Sequence, residues 1–339
     1  MEKEPYIVSI LVPVYGVEKF IERCARSIFS QDYQSLEIIF VDDCTPDKSI
    51  TIVQRLLLEY PNRSGQTRFI RHTYNRGLAA ARNSAIDSAT GDFVLFIDPD
   101  DNIHSSAVSK LVHKQLESKA DVVSGRGVRV TISKLEEFPL IIYKKKENLI
   151  QSYIAESMSH HIWGRLIKRS LLSENSIHAK EGVNCGEDAQ LVTQIFWFSK
   201  KYDWLFENIY YYHVDNEMSY MNPKQDSKFN LVKRVRDNIE TAIFIRQFFS
   251  GKSENLQRAA LELTRKDIAF LLIVSFFAGF RDKRCWSYFK RYYPIGLKVF
   301  SKPTHNFLRG LYLLGGACYF AVVIFANKLR SLLSRSFEI

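Results

Sequence analysis

The segment GDFVLFIDPDD, Gly91–Asp101, limits the possible folds more than any other. An apolar run from Phe93 to Ile97 stops abruptly at three carboxylates, Asp98, Asp100 and Asp101. A strand this uniformly apolar belongs inside an α/β sheet with both faces covered, and ligands bind at the C-terminal edge of such a sheet. Carboxylates this close repel one another unless a positive group sits among them. A divalent cation with oxygen ligands, Mg²⁺ or Mn²⁺, meets that need and brings a phosphate-bearing substrate with it. A solvated acidic turn is the other reading of the segment taken alone.

The flanking chain supports a sheet. Apolar strands are expected at Tyr6–Val14, Leu36–Val41, Arg68–His72, Phe93–Ile97 and Asp121–Val130. Between them, Val17, Phe20, Ile21, Cys24 and Ile28 recur at helical spacing. Ile50, Val53, Leu56 and Leu57 do the same after Asp47, a plausible N-cap, and Pro61 stops that helix. Leu78–Ala89 and Ser105–Ser118 complete the alternation. Strands separated by helices of this length imply βαβ units, right-handed crossovers and a mostly parallel sheet. The stretch Lys144–Tyr212 is less regular. It offers a turn at Trp163–Ser170, a loop at Gly182–Gly186, a helix from about Glu187 to Lys201 and a short strand at Ile209–His213.

After Pro223 the pattern changes to long helices rich in Arg and Lys, which sets a boundary near Asn222–Asp226 and two domains, 1–224 and 225–339. The net charge of +10 is concentrated there: residues 228–339 hold 20 Lys and Arg against 7 Asp and Glu. That region also holds the apolar runs Ala269–Phe280 and Gly310–Ala326, without the basic–aromatic interleaving of a nucleic-acid stripe. An anionic membrane surface is the expected partner, and nucleic acid is not. Gly310–Ala326 is uncharged and flanked by Arg309 and Lys328–Arg330. An interfacial helix, a single span and a buried hairpin all remain open for it. The N-terminus lacks a secretory h-region, and the five cysteines have no metal or redox spacing, so reduced thiols in the cytoplasm are expected.

Polar residues gather at the strand ends. The first strand ends at Pro13 and Tyr15, the second at Asp42 and Asp43, and the third at Asn75 and Gly77, with Arg82 one turn into the next helix. Each has a bland reading as a turn, a helix entry or a solvated cation. At successive strand ends they converge on one crevice. Tyr15 suits stacking on a base, and Asp43 suits accepting an imide N–H. A metal at Asp98, Asp100 and Asp101 suits a diphosphate. Gly125–Gly127 is a lone G-x-G, and no phosphate-binding G-x-x-x-x-G-K-[ST] occurs. A dinucleotide oxidoreductase and a P-loop NTPase are therefore disfavoured.

The stretches SILVPVYGVEKFIERCARSIFSQ, LEIIFVDDCTPDKS, NRGLAAARNSAI and GDFVLFIDPDDNI, in this order and at this spacing, resemble glycosyltransferase family 2. The resemblance covers about the first 220 residues. It implies a GT-A fold, a Rossmann-like catalytic domain, followed here by a helical, basic region. It implies inverting transfer of a sugar from a nucleotide diphosphate, with a UDP-sugar favoured, to an acceptor hydroxyl of a glycan or lipid-linked glycan. Pro13, Tyr15, Asp43, Asn75, Arg82 and Asp98 are the nucleotide-sugar positions so implied. Asp98, Asp100 and Asp101 are implied as the D-x-D motif holding Mn²⁺ or Mg²⁺. The family often has Gly-Ser where this chain has Cys44–Thr45–Pro46.

An inverting transfer needs a general base that stays ionised near neutral pH. Glu187 and Asp188 open a helix, whose positive end favours a carboxylate. Acids there are also ordinary capping chemistry. The resemblance favours Asp188 as base and Glu187 as a sugar contact. Trp163 is a candidate acceptor platform or a core residue. His213 is a candidate late metal ligand or a structural histidine. A nucleotidyltransferase on a related sheet would call for a basic, Gly-rich loop after the first strand, where Tyr15–Gly16–Val17–Glu18 stands. A non-catalytic sugar-nucleotide-binding or assembly protein would predict a broken acidic set, and the set is complete.

Overall fold

A computed structural model describes residues 6–138, 142–143, 145–154, 161–216, 228–264 and 291, with residues 228–232 described by their backbone alone. The chain divides into two compact units, Met1–Gln225 and Asp226–Ile339.

The first unit begins as the apolar pattern predicts. Strand β1 (Val8–Val14) is buried at every position and leads to helix α1 (Ile21–Phe29), then β2 (Leu36–Asp42). Helix α2 (Ser49–Leu56) and the single turn α3 (Pro61–Ser64) lead to β3 (Thr67–Arg71). Helix α4 (Leu78–Ser88) and β4 (Phe93–Phe96) follow. The strands β3-β2-β1-β4 are all parallel neighbours. Burial of β1 and β4 on both faces explains why neither alternates polar with apolar residues. Helix α4 is buried through Ala79, Ala80, Ala81, Ala85 and Ile86 and packs on β1 and β2. Its alanines let that helix approach the sheet closely.

Beyond β4 the sheet changes character. The short β5 (Asn102–Ile103), α5 (Ala107–Ser118) and β6 (Val122–Val130) are followed by β7 (Leu135–Glu137) and α6 (Lys146–Ile154). Then come β8 (Arg165–Lys168), α7 (Arg169–Glu174), α8 (Glu187–Phe198) and β9 (Tyr202–His213). The order is β3-β2-β1-β4-β8-β6-β9-β5, with β7 on the far side of β6. Strand β8 lies antiparallel between β4 and β6, in the region read from sequence as a turn at Trp163–Ser170. Four residues, three of them buried in a row, give no period to recognise. The strand expected at Ile209–His213 is the second half of β9, which bulges opposite Gly125–Gly127. The sheet is thus parallel on one side of β4 and mixed on the other.

In the second unit, α9 (Lys228–Phe248) buries Val235, Ile239, Ala242 and Ile245 at helical spacing. Residues 254–264 are also helical. Among the described residues, no helix is long and apolar enough to cross a membrane. The runs Ala269–Phe280 and Gly310–Ala326 lie outside the described residues.

Candidate active site

Three buried or half-buried carboxylates meet one guanidinium at the edge of β4. Arg82, on α4, is 2% exposed, and its terminal nitrogens donate to Glu187 at 2.6 Å, to Asp98 at 2.8 Å, and to Asp188. Burial works against the charge of Arg82, but Asp188, Asp98 and Glu187 outweigh it and raise its pKa. Arg82 Nε is buried without a hydrogen-bond partner. The sequence reading puts Arg82 at the nucleotide; here its charge is first committed to carboxylates, with two of its five N–H donors to spare.

Asp188 sits in the first turn of α8, with 17% of its side chain exposed. Burial raises its pKa to about 7; Arg82 opposes this, and Glu187 and Asp98 add to it. Ile162 N–H donates to its second oxygen at 3.3 Å. The loop before α8 is pinned to α4. Asn184 Oδ1 accepts from Ala79 N–H at 3.3 Å, and the Asn184 amide fills the space that a Cβ on Gly77 would occupy, 2.4 Å away. Gly77 has φ +90°, so any other residue there would be strained as well as obstructed.

The acidic turn after β4 divides into two parts. Asp98 faces Arg82. Asp100 accepts from the Asn216 amide at 2.8 Å, and its carbonyl accepts from Arg23 at 2.5 Å. Burial raises the Asp100 pKa to about 6; Asp98 adds to this, while Asn216 and Arg23 oppose it. Asp101 is fully buried and points inward. It accepts from Tyr210 Oη–H and from His213 N–H, both at 2.8 Å. The same Tyr210 hydroxyl accepts from Asp98 N–H at 3.1 Å. Asp101 is therefore a tie between the acidic turn and β9.

His213 has one ring nitrogen engaged. Its Nε2 lies 2.6 Å from Asn102 Oδ1, a carbonyl oxygen, so Nε2 carries the proton. Burial, then Arg23, lowers its pKa. Among the described residues, no group of three His, Cys, Asp or Glu side chains is arranged to hold a metal. Asp98 and Asp100 still suit a cation. Mg²⁺ and similar hard ions are commonly held by one or two carboxylates plus substrate phosphates rather than by a protein cage.

Trp163 does not present a face to an acceptor. His161 stacks on one side at 4.4 Å and Tyr210 lies nearly parallel at 4.1 Å, leaving Trp163 5% exposed. A Cβ on Gly127 would lie 2.5 Å from its ring, so this glycine makes room for the indole.

On the parallel side, Pro13 is buried at the end of β1, whereas Tyr15 is 49% exposed and Asn75 is exposed. Asp43 is 2% exposed and takes donors on both oxygens: His72 Nδ1 at 2.7 Å, Arg76 N–H at 2.8 Å and Gly77 N–H at 2.7 Å. Cys44 adopts φ +56°, the left-handed conformation for which glycine is best suited. Thr45 Oγ accepts from Gly16 N–H at 2.9 Å and tightens the β1 and β2 exits. Cys24 and Cys44 are free thiols.

The sequence reading missed His72, Asn184, Tyr210 and Asn216. Each acts across a long separation, as Tyr210 does on Asp101, and no local spacing marks such a pair.

Residues 9–175 match the family model described as Glycosyl transferase family 2. The chain is 30% identical over 214 residues to the uncharacterized glycosyltransferase EpsJ of Bacillus subtilis, covering 61% of this chain and 60% of that protein. It is 28% identical over 223 residues to the poly(ribitol-phosphate) beta-N-acetylglucosaminyltransferase TarS of Staphylococcus aureus, covering 63% of this chain and 36% of that one. The chain thus spans less than two thirds of the length of either relative. The crystal structure of TarS residues 1–349 in complex with UDP-GlcNAc is similar, with a TM-score of 0.56 at 20% identity over 77% of this chain and 80% of that one. A mannosyltransferase from Pyrobaculum calidifontis, in complex with GDP-Man and Mn²⁺, gives a TM-score of 0.53 at 17% identity over 93% of this chain and 87% of that one. These structures share the GT-A fold with this chain.

Proposed function

Residues 9–175 belong to glycosyl transferase family 2, and from that premise we propose that the chain is an inverting glycosyltransferase using a nucleotide-diphosphate sugar. The observation that supports this most is the convergence on Arg82 of Asp98, from the sheet edge, with Glu187 and Asp188, from the start of α8. It joins a donor-side carboxylate to an acceptor-side pair.

Asp188 is the general base. Attack on the anomeric carbon from the face opposite the diphosphate requires removal of the acceptor hydroxyl proton, and a carboxylate with pKa near 7 suits that work. Arg82 keeps Asp188 oriented and limits how far its pKa rises. Glu187, 5% exposed, holds Arg82 from the other side and meets the sugar. Asp98 and Asp100 would hold Mn²⁺ or Mg²⁺; such an ion, when bound, neutralises charge developing on the leaving diphosphate. Tyr15 stacks on the base and Asp43 reads it, with a UDP-sugar as the favoured donor.

The acceptor is a hydroxyl of a cell-surface polysaccharide or glycolipid. The activity of TarS on poly(ribitol-phosphate) supports a polymer of this class. The basic residues of 228–339 would hold the enzyme against an anionic membrane, where a lipid-linked acceptor is presented. Binding to anionic vesicles that weakens with added salt checks this, and salt-insensitive binding counts against it.

The test is nucleotide release from a panel of UDP-, GDP- and dTDP-sugars with Mn²⁺ or Mg²⁺. Metal-dependent release from one donor, lost in Asp100→Ala and Asp188→Asn, is expected. Silence across the panel, together with no metal-dependent nucleotide binding by calorimetry, would overturn the reading.

A further inference from the structure

His72 is buried, 6% exposed, and lies outside every role assigned above. Its imidazole bridges two elements. Nδ1 is 2.7 Å from Asp43 Oδ1 at the end of β2, and Nε2 is 2.9 Å from Ser84 Oγ on α4. Its backbone N–H donates to the Asp42 carbonyl at 2.9 Å, which fixes the ring at the β2 exit.

The chemistry of the pair assigns the protons. An ionised carboxylate only accepts, so Nδ1 must donate to Asp43 whether the ring is neutral or charged. Arg76 N–H and Gly77 N–H supply two further donors, one to each carboxylate oxygen. A carboxylate has about four acceptor sites, and three are taken. The site that remains, on Oδ2, is again an acceptor. A group that meets it must bring a hydrogen.

Asp42, next in the chain, shows the contrast. It accepts from Thr45 N–H at 2.8 Å and pairs with exposed Arg71 at 3.4 Å, which is ordinary turn and surface chemistry. Asp43 instead has its own buried imidazole, itself held by a hydroxyl from a third element.

We propose that His72, backed by Ser84, is a positioning residue that fixes Asp43 as an acceptor-only reader of the donor's base. The site then selects bases with a ring N–H, namely uracil, thymine and guanine, over adenine and cytosine. At the matching edge those two present a ring nitrogen lone pair, which the carboxylate repels. The inference rests on the nucleotide-sugar reading and adds to it the group that sets base choice.

The experiment is calorimetry on the full chain with Mn²⁺, using UDP and N3-methyl-UDP, in which a methyl group replaces the hydrogen to be read. Wild-type protein binds UDP about tenfold or more tightly than the methylated probe, the range for a hydrogen bond to a charged group. His72→Phe lowers UDP affinity by about tenfold and leaves the methylated probe unchanged, so discrimination collapses. His72→Asn keeps an N–H near the Nδ1 position and retains most of the discrimination. Ser84→Ala reduces it by roughly threefold, as loss of an ordinary hydrogen bond predicts. Circular dichroism and thermal melting establish that the variants fold. Should His72→Phe fail there, the His72→Asn and Ser84→Ala pair carries the same test.

Equal wild-type affinity for the two probes, or undiminished discrimination in folded His72→Phe, overturns the inference and leaves the nucleotide-sugar reading standing. In that case the His72 network only shapes the turn at Arg76–Gly77. Absence of any UDP, GDP or dTDP binding overturns both.

Discussion

The two sides of the sheet handle buried carboxylates in opposite ways. On the parallel side, Asp43 is surrounded by donors from His72, Arg76 and Gly77. At the seam where the mixed side begins, Asp98, Glu187 and Asp188 share one guanidinium, and burial, then crowding by one another, raises the pKa values of Asp100 and Asp101. A carboxylate held by three fixed donors is rigid and suits recognition. Carboxylates short of positive charge suit a place where a cation, a proton or a departing anion changes the balance during turnover. On the proposed function, the fold therefore separates reading of the donor from chemistry on it, within one sheet edge.

Removing the base breaks the comparison most severely. Asp188→Asn keeps the shape and the contact with Arg82 but cannot take a proton. Transfer is expected to fall by roughly 10³-fold, within the range for general bases, with UDP affinity nearly unchanged. Single-turnover transfer measured alongside calorimetry checks this. Equal losses in binding and transfer would assign Asp188 to binding instead.

Removing the shared cation comes next. Arg82→Met leaves three carboxylates without their counter-charge in a site where Arg82 is 2% exposed. Breaking a buried ion pair by removing one partner costs about 3–5 kcal/mol, and urea denaturation should show a loss near the lower end. The seam is partly open, with Asp98 23% exposed, so water relieves part of the cost. The corresponding change on the parallel side, His72→Phe, leaves Asp43 with two backbone donors and should cost less.

The same division governs what the sequence reveals. The parallel side is built from neighbours in the chain, each strand followed by the helix that covers it. The apolar runs at Tyr6–Val14, Leu36–Val41 and Phe93–Ile97 were therefore sufficient to read it. The strand-end residues Tyr15, Asp43 and Asp98 follow from that pattern directly. The mixed side depends on distant pairings. Strand β8 comes from residues 165–168 yet enters beside β4, and its partners cannot be found from its own four residues. Asp101 reads as a metal ligand because it follows Asp98 and Asp100. Only Tyr210, which lies 109 residues further along, turns it into a structural tie. Trp163 reads as a platform until Tyr210 and His161 cover both its faces.

The pH dependence sharpens the comparison, because the seam titrates near neutrality. Asp188 holds its proton in the folded state up to about 7, whereas an unfolded aspartate loses it near about 4. Between those values the folded chain binds more protons. This group's stabilising contribution is therefore complete below about pH 4 and is lost as pH rises through about 7. Asp100, raised to about 6, acts in the same direction. Activity runs the opposite way, since the base must be ionised. Transfer per unit substrate should drop about tenfold for each pH unit below about 7, while the melting temperature climbs over the same interval. Parallel rise or fall of the two quantities would remove Asp188 as the controlling group.

The smallest effect tests the tie between the two sides. Tyr210 accepts from Asp98 N–H and donates to Asp101, so its hydroxyl connects the acidic turn to β9. Tyr210→Phe keeps the ring stacked on Trp163 and removes only that hydroxyl. The part-buried Asp98 N–H then has no acceptor, and Asp101 keeps the His213 N–H alone. Asp101 is already raised well above the usual carboxylate range by burial and by Asp100 and Asp98, so it can take up a proton instead of remaining an unpaired charge. That relief limits the loss of stability to about 1 kcal/mol, near the low end for leaving one buried group unpaired. The looser turn should weaken Mn²⁺ binding with UDP present more than it weakens UDP binding without metal. Calorimetry on both arms separates the two: equal weakening would place Tyr210 in general support of the fold, and selective loss of the metal-dependent part would place it behind Asp98.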